Sequence, residues 1–384
     1  MNMKIERVDL QRIKIPLNSP FETSMGVETH KECILVRAYS GAHVGFGESV
    51  AMDVPVYNEE DVDTVWYMLE KYLIPQLFSR EIEHPDDVSR LFSWMRRNHM
   101  AKAALEGAVW DLYAKMNGIS LSQALGGART TIDVGVSIGI EPTIEKLLQR
   151  VEGFIRDGYK KIKVKIKPGF DVEPMRAIRN TFGPDVPLMA DANSAYTLAD
   201  MEMLKALDSF GLIMIEQPLA HDDIIDHATL QRELKTPICL DESIHTVEDA
   251  RKALELGSCR IINIKIGRVG GLTDAKKIHD LCATRGVPVW CGGMLEAGIG
   301  RAHNIAMASL SNFTIAGDTS PSHRYFAEDI VTPVIDFAAP GMLAVPTTPG
   351  IGFDINESAI RNALIEHKSY LANRESTTTL IPSW

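Results

Sequence analysis

Three carboxylates stand at a constant interval in the middle of this chain: Asp191 in VPLMADANSAY, Glu216 in LIMIEQPL and Asp241 in TPICLDES, 25 residues apart. Each closes a short run of apolar residues, and a lysine stands one interval beyond each end of the series, Lys165 in KKIKVKI and Lys265 in RIINIKI. About 25 residues suit one strand, a loop, a helix and a return loop, the unit of an α/β barrel whose active residues gather at the C-terminal ends of its strands. Strands of an eight-stranded barrel sit about 45° apart, so Lys165 and Lys265, four units apart, face each other across the mouth with the acids on the arc between. Converging carboxylates repel unless a cation sits among them, and oxygen-only ligation suits a hard divalent ion such as Mg²⁺, with Mn²⁺ able to substitute. Taken singly, each acid reads as well as a capping or solvated loop residue. The regular triple is what favours a shared metal.

Lys163 and Lys165 lie two apart, so on a strand both point inward, in layers roughly 7 Å apart. Charged side chains facing a barrel interior need partners, which gives two readings: a structural ion-pair network, or a Lys165 pulled by Lys163 and a metal from its ordinary value of about 10.4 toward neutrality, so that it works as a base. Arg268, three residues after Lys265, either tunes that lysine or pairs with an acid on the rim. Glu242, beside Asp241, is expected to support its neighbour, and Asn193 either binds substrate or shapes its loop. Gly293 and Met294 in GGMLEAGIGRA fall at the mouth, where a small residue and a thioether admit an organic substrate, although Met more often fills core gaps. No HExxH and no nucleophile elbow is present, so zinc proteolysis and serine hydrolysis lack support.

Strand-like runs end near Ser137, Lys165, Asp191, Glu216, Asp241, Lys265, Gly293 and Gly317, enough to close a barrel, and helical stretches at 143–157, 198–210, 247–256 and 271–285 fill intervals between them. Before the barrel, residues 4–15 and 33–48 read as strands, the second folded into a hairpin at Ser40-Gly41. Residues 16–31, with Phe21, Met25 and Val27 as apolar points among Pro, Ser and Asn, read as a long mobile loop, either a lid or a plain connector. Helices follow at 59–73, 85–95 and 101–116. The expected organisation is an α+β capping domain over residues 1–129, a barrel over 130–320, and a Pro- and Gly-rich segment, 321–384, that returns to the cap.

A chain of 384 residues with 45% hydrophobic and 24% charged content has room for a large core. The balance of 51 acidic against 40 basic residues, a formal charge of −11, argues against nucleic-acid or anionic-membrane surfaces. Five cysteines with no CxxC pair, a start without an apolar signal region and no run approaching 18 apolar residues point to a cytoplasmic enzyme.

The motifs KVK at Lys163, DANSAY at Asp191, EQPL at Glu216, DES at Asp241, KIGRVGG at Lys265 and GGMLEAGIGRA at Gly292 resemble the enolase superfamily, within its muconate-lactonizing-enzyme subgroup, and most of all its o-succinylbenzoate synthases and N-acylamino acid racemases. The resemblance spans essentially the whole chain. It implies a (β/α)₇β barrel under a cap, Mg²⁺ on Asp191, Glu216 and Asp241, acid/base lysines at Lys165 and Lys265, and a supporting cation at Lys163. It also implies that Phe21, Met25 and Met52 cover the substrate and that Ser137, Asn193, Gly293 and Met294 lie near it. The implied chemistry is removal of a proton α to the carboxylate of a small molecule, by a homo-oligomer. The outcome would be dehydration to o-succinylbenzoate in menaquinone synthesis, racemisation of N-succinylamino acids, or both, with Lys165 serving the L-form and Lys265 the D-form. Dipeptide epimerases of the same superfamily bind the substrate ammonium through a DxD near the eighth strand, where this chain has GDTSPS with Asp318 alone; muconate cycloisomerases resemble the GGMLEAGIG stretch less. A noncatalytic metal-binding scaffold is the reading from another class, and it leaves two opposed lysines without a purpose.

Overall fold

The computed structural model describes residues 2–24 and 26–372. Its first sheet has four antiparallel strands in the order Leu364–Leu371, Arg7–Thr23, Gly26–Ser40, His43–Glu48. The described part of the stretch 16–31, expected as a loop, instead forms the far halves of a long hairpin, 16–23 and 26–31: Phe21 pairs with Glu28 and Thr23 with Gly26. The ladder continues because the partner strand satisfies backbone groups that the local composition leaves uncommitted, and the irregularity between Pro16 and Phe21 takes up Pro20.

One face of this sheet packs on helical residues Val62–Phe78 and on the 18-residue helix His99–Met116. Helix and strand touch backbone to backbone here. A Cβ on Gly45 would stand 2.0 Å from the Ala108 carbonyl oxygen, and one on Gly47 equally close to that of Ala104. Val8, Leu10, Ile34 and Val36 join Ala104, Leu105 and Ala108 in a cap core, whereas Ile13, Ile15, Cys33 and Leu35 face the other way, into the core of the barrel. The alternation of side chains along each strand thus makes the sheet a two-sided wall.

The barrel has seven parallel strands: Gly135–Ile138, Lys161–Lys165, Leu188–Asp191, Ile215–Glu216, Ile238–Leu240, Ile261–Ile264 and Val289–Cys291, each paired with the next in chain order. The eighth position, expected to end at Gly317, is not a full strand. It is held by single bridges, Phe313 to Val289 on one side and Gly317 to Val134 on the other. Gly135 donates to the Gly317 carbonyl at 2.6 Å and Asp318 to that of Cys291 at 2.9 Å, so the ring closes with few residues. Helix Gly298–Ala308 precedes this segment, and after it the chain lays Met342–Ala344 against Thr131–Asp133 before Leu364–Leu371 joins the cap sheet. This is a TIM-like (β/α)₇β barrel with an α+β cap.

Two buried cap carboxylates fix cap to barrel by capping barrel helices. Glu48 accepts from the backbone N–H of Ala297 and Gly300, at 2.8 and 2.7 Å, and Glu106 from Leu272 and Thr273, at 2.7 and 2.9 Å. The free N–H groups and positive end of each helix favour an anion there. Burial opposes it and pushes both carboxyls up to about 7, against the hydrogen bonds that pull them down.

Candidate active site

Because a strand turns alternate residues to the same side, KIKVK on the second barrel strand sends Lys161, Lys163 and Lys165 all inward, and all three are buried. Lys161 was missed in the sequence, although its spacing from Lys163 repeats that of Lys163 from Lys165. Lys161 Nζ lies 3.1 Å from Asp318 and over the Trp290 ring, at the floor. Lys163 Nζ lies 2.6 Å from Asp318 and 3.2 Å from both Asp191 and Glu216. Lys165 Nζ donates to Asp191 at 2.6 Å and to the Asn193 side chain at 2.5 Å. Burial drives the Lys165 amine below its ordinary value despite Asp191, with the Lys163 charge acting in the same sense. For Lys163 burial is outweighed by Asp318, Glu216 and Asp191, which hold it well above the usual range.

The three spaced acids lie where the interval places them. Asp191 and Glu216 are register partners at the ends of the third and fourth strands, and Asp241 follows the fifth. All three are buried. Asp241 is met by Lys265, at 2.7 Å, and by the Arg268 guanidinium. Arg268 is therefore not a rim residue. It is fully buried, and it also donates to the carbonyls of Ile244 and Asn263 at 2.7 and 2.5 Å. Glu242 accepts from Asn193 at 2.9 Å through one oxygen, while its other oxygen, buried, has no partner among the described residues. Asn193, Ser194 and Gln217 hold positive φ angles of 41°, 64° and 38°, so the loops that aim these groups carry backbone strain. Gln217 spends its side chain on the next loop, accepting from Asp241 N–H at 3.0 Å and donating to Ser243 at 2.6 Å.

Among the described residues, one group of three possible ligands closes to within 4.8 Å of one another, and it is His30, Glu32 and Asp53 in the cap, not the spaced acids. The donor chemistry favours the latter all the same. Glu32 is taken by Arg12 and Lys14, and His30 by Asp53, which is exposed. Asp191, Glu216 and Asp241 are buried hard oxygen donors whose charge is met by lysine amines and the Arg268 guanidinium, and the orphaned oxygen of Glu242 stands beside them. Such a set fits a divalent cation.

A cavity of about 200 Å³ lies between barrel and cap. Lys163, Lys165 and Lys265 line it, with Ser137, Asn193, Gly293 and Met294 from the barrel and Phe21 and Met52 from the cap. Met25 lies outside the described residues. Tyr57, from a cap loop without any periodic signal, was also missed: buried, it places its hydroxyl 3.2 Å from Lys265 Nζ and 3.1 Å from Asp241. Asn263, two residues before Lys265 and so on the same inward face, donates to Glu216 at 2.6 Å.

Residues 7–126 match the family model for the mandelate racemase/muconate lactonizing enzyme N-terminal domain, and residues 146–359 match the enolase C-terminal domain-like model. The chain is 60% identical over 361 residues to the o-succinylbenzoate synthase of Geobacillus kaustophilus, covering 94% of this chain and 96% of that one. To the N-succinylamino acid racemase of an Amycolatopsis species it is 48% identical over 350 residues, 91% of this chain and 95% of the other. The solved structure of an enolase superfamily member from Listeria innocua superposes with a TM-score of 0.94 at 44% identity, over 97% of this chain and all of that one.

Proposed function

The chain belongs to the mandelate racemase/muconate lactonizing enzyme family of the enolase superfamily, and on that premise we propose that it is an o-succinylbenzoate synthase that also racemises N-succinylamino acids. One observation carries the reading: two buried lysines, at the end of the second strand and just after the sixth in a ring of eight positions, line one cavity from opposite sides, with carboxylates on the arc between.

A divalent cation, Mg²⁺ or Mn²⁺, held by Asp191, Glu216 and Asp241, would supply the charge that stabilises a doubly negative carboxylate. The chain's own groups do the rest. One lysine amine takes the α-proton, and the electron pair of the broken C–H bond passes into the substrate carboxylate as an enediolate. Lys163, kept charged by Asp318, Glu216 and Asp191, adds a fixed positive charge nearby. In racemisation the opposite lysine, as its ammonium, returns a proton to the other face. In dehydration the enediolate expels the β-hydroxyl, which leaves as water on gaining a proton. The cap closes over this chemistry with Phe21 and Met52, limiting water.

An ammonium-binding acid, as dipeptide epimerisation would need near the eighth position, finds no support: Asp318 is buried against Lys161 and Lys163, and Ser320 stands two residues on. A noncatalytic scaffold leaves the opposed lysines unexplained. Incubating the full chain with Mg²⁺ in D₂O tests the reading. α-Proton exchange into N-succinylamino acids and formation of o-succinylbenzoate from its hydroxy-acid precursor are expected, and the absence of both would overturn it.

A further inference from the structure

Lys31 is a buried cation in the cavity wall for which the chemistry above has no use. It sits on the hairpin in register with Ile15, two residues before Cys33 and so on the barrel-facing side, and is 5% exposed. Its Nζ donates to the carbonyls of Val50 and Met294, each at 3.2 Å, which leaves the third donor of an ammonium uncommitted. Lys163, Lys165 and Lys265, which share the cavity, each have a carboxylate within 2.7 Å. Among the described residues Lys31 has none at ion-pairing distance. The same holds for Arg301, also in the wall, which donates to the carbonyls of Ser320 and Glu296 at 2.7 and 2.5 Å.

These cations occupy one side of the mouth. Met294 follows the seventh strand and Ser320 the eighth position, across the ring from the fourth strand that carries Glu216. On that side two buried hydroxyls that line the cavity, Ser137 Oγ and Thr319 Oγ1, have no hydrogen-bond partner among the described residues. Buried cations and hydroxyls left unpaired are costly, and an anion reaching them would remove the cost. A substrate whose first carboxylate lies at the acids extends its other end toward this side.

We propose that Lys31 recognises the second carboxylate of a dicarboxylate substrate, the one at the end of its acyl arm, with the Ser137 and Thr319 hydroxyls donating beside it. This rests on the α-proton reading for which end of the substrate lies at the acids. The test compares N-succinyl with N-butanoyl derivatives of one amino acid, alike in chain length but not in charge, on the full chain with Mg²⁺. Lys31→Met is expected to lower the succinyl-to-butanoyl ratio of kcat/KM about 10- to 100-fold, chiefly through KM for the succinyl substrate, and Lys31→Arg to keep most of it. An unchanged ratio overturns the proposal. So does a proportional loss on both substrates, because a mere tether between cap and barrel would act on both. Calorimetric binding of N-succinylglycine and N-butanoylglycine separates this from the reading it rests on. A Lys31-dependent preference for the dicarboxylate without turnover of either class keeps the Lys31 assignment and removes the α-proton reading; no preference in the wild type removes the assignment.

Discussion

On the barrel side of the cavity, the cations carried by the second strand and the turn after the sixth have oppositely charged neighbours: Lys161 and Lys163 share Asp318, Lys165 meets Asp191, and Lys265 and Arg268 meet Asp241. These groups stand on strands buried on both faces or just beyond their ends. The cap side is built otherwise. Phe21 and Lys31 come from an antiparallel hairpin, Met52 and Tyr57 from the loops that follow, and Lys31 is bonded to carbonyls alone. The contrast assigns the two halves different work. On the proposed function, the barrel would fix charges that do not depend on which substrate enters, and the cap would supply contacts that depend on its shape and charge.

The largest expected effect falls on the barrel side. Exhaustive chelation of divalent metal should abolish turnover and Mg²⁺ should restore it, measured by α-proton exchange; full activity in a verified metal-free preparation would remove Asp191, Glu216 and Asp241 as ligands. Next comes a cap residue that touches Lys265 and Asp241. Tyr57→Phe deletes a hydroxyl shared by Lys265 and Asp241, and should lower exchange about 10-fold for the enantiomer served by Lys265, more than for the other. Equal losses on both enantiomers would show that Tyr57 acts on the cap as a whole.

Smaller still is the effect of Phe21→Ser. Partly exposed on the hairpin, Phe21 contributes cover more than core, so kcat/KM should fall several-fold with the melting temperature nearly unchanged. An unaltered kcat/KM would make the hairpin a simple wall. The least effect on activity is expected at the cap-to-barrel joint, where the readout is stability. Burial raises the Glu106 carboxyl to about 7, so in the folded state it holds its proton to higher pH than in the unfolded chain. Its contribution to stability is thus fullest below about pH 4.5 and is lost as pH rises through 7, by up to about 3 kcal/mol. Wild type should therefore lose stability relative to Glu106→Gln from pH 5 to pH 8 in denaturant melts, and a pH-independent difference would contradict the assignment.

The same division governs what could be read from the sequence. The acids and lysines of the barrel were legible because one strand-and-helix unit repeats, so position in the chain converts to position on a ring. Lys161 carries the same signal, since it precedes Lys163 by the interval that separates Lys163 from Lys165. For Arg268 the spacing leaves open whether it tunes Lys265 or pairs with an acid on the rim, because spacing says nothing of burial. The hairpin at residues 16–31 was illegible for another reason: its strands exist through pairing with each other, while its Pro, Ser and Asn locally favour a loop. The eighth strand shrank to two bridges because the first and seventh strands close the ring around a short Gly-containing segment. Tyr57 carries no periodic signal, and tertiary packing alone brings it to Lys265.

The central claim is that two lysines work from opposite faces of one substrate, and isotope exchange in single-lysine variants tests it most directly. Each enantiomer of one N-succinylamino acid is incubated in D₂O with Lys165→Ala or Lys265→Ala, and loss of the α-proton signal is followed by NMR while binding is measured in parallel. Lys165→Ala should lose exchange into the L-form and keep part of that into the D-form, and Lys265→Ala should show the reverse. A single variant that exchanged both enantiomers at the wild-type rate would contradict the two-base account.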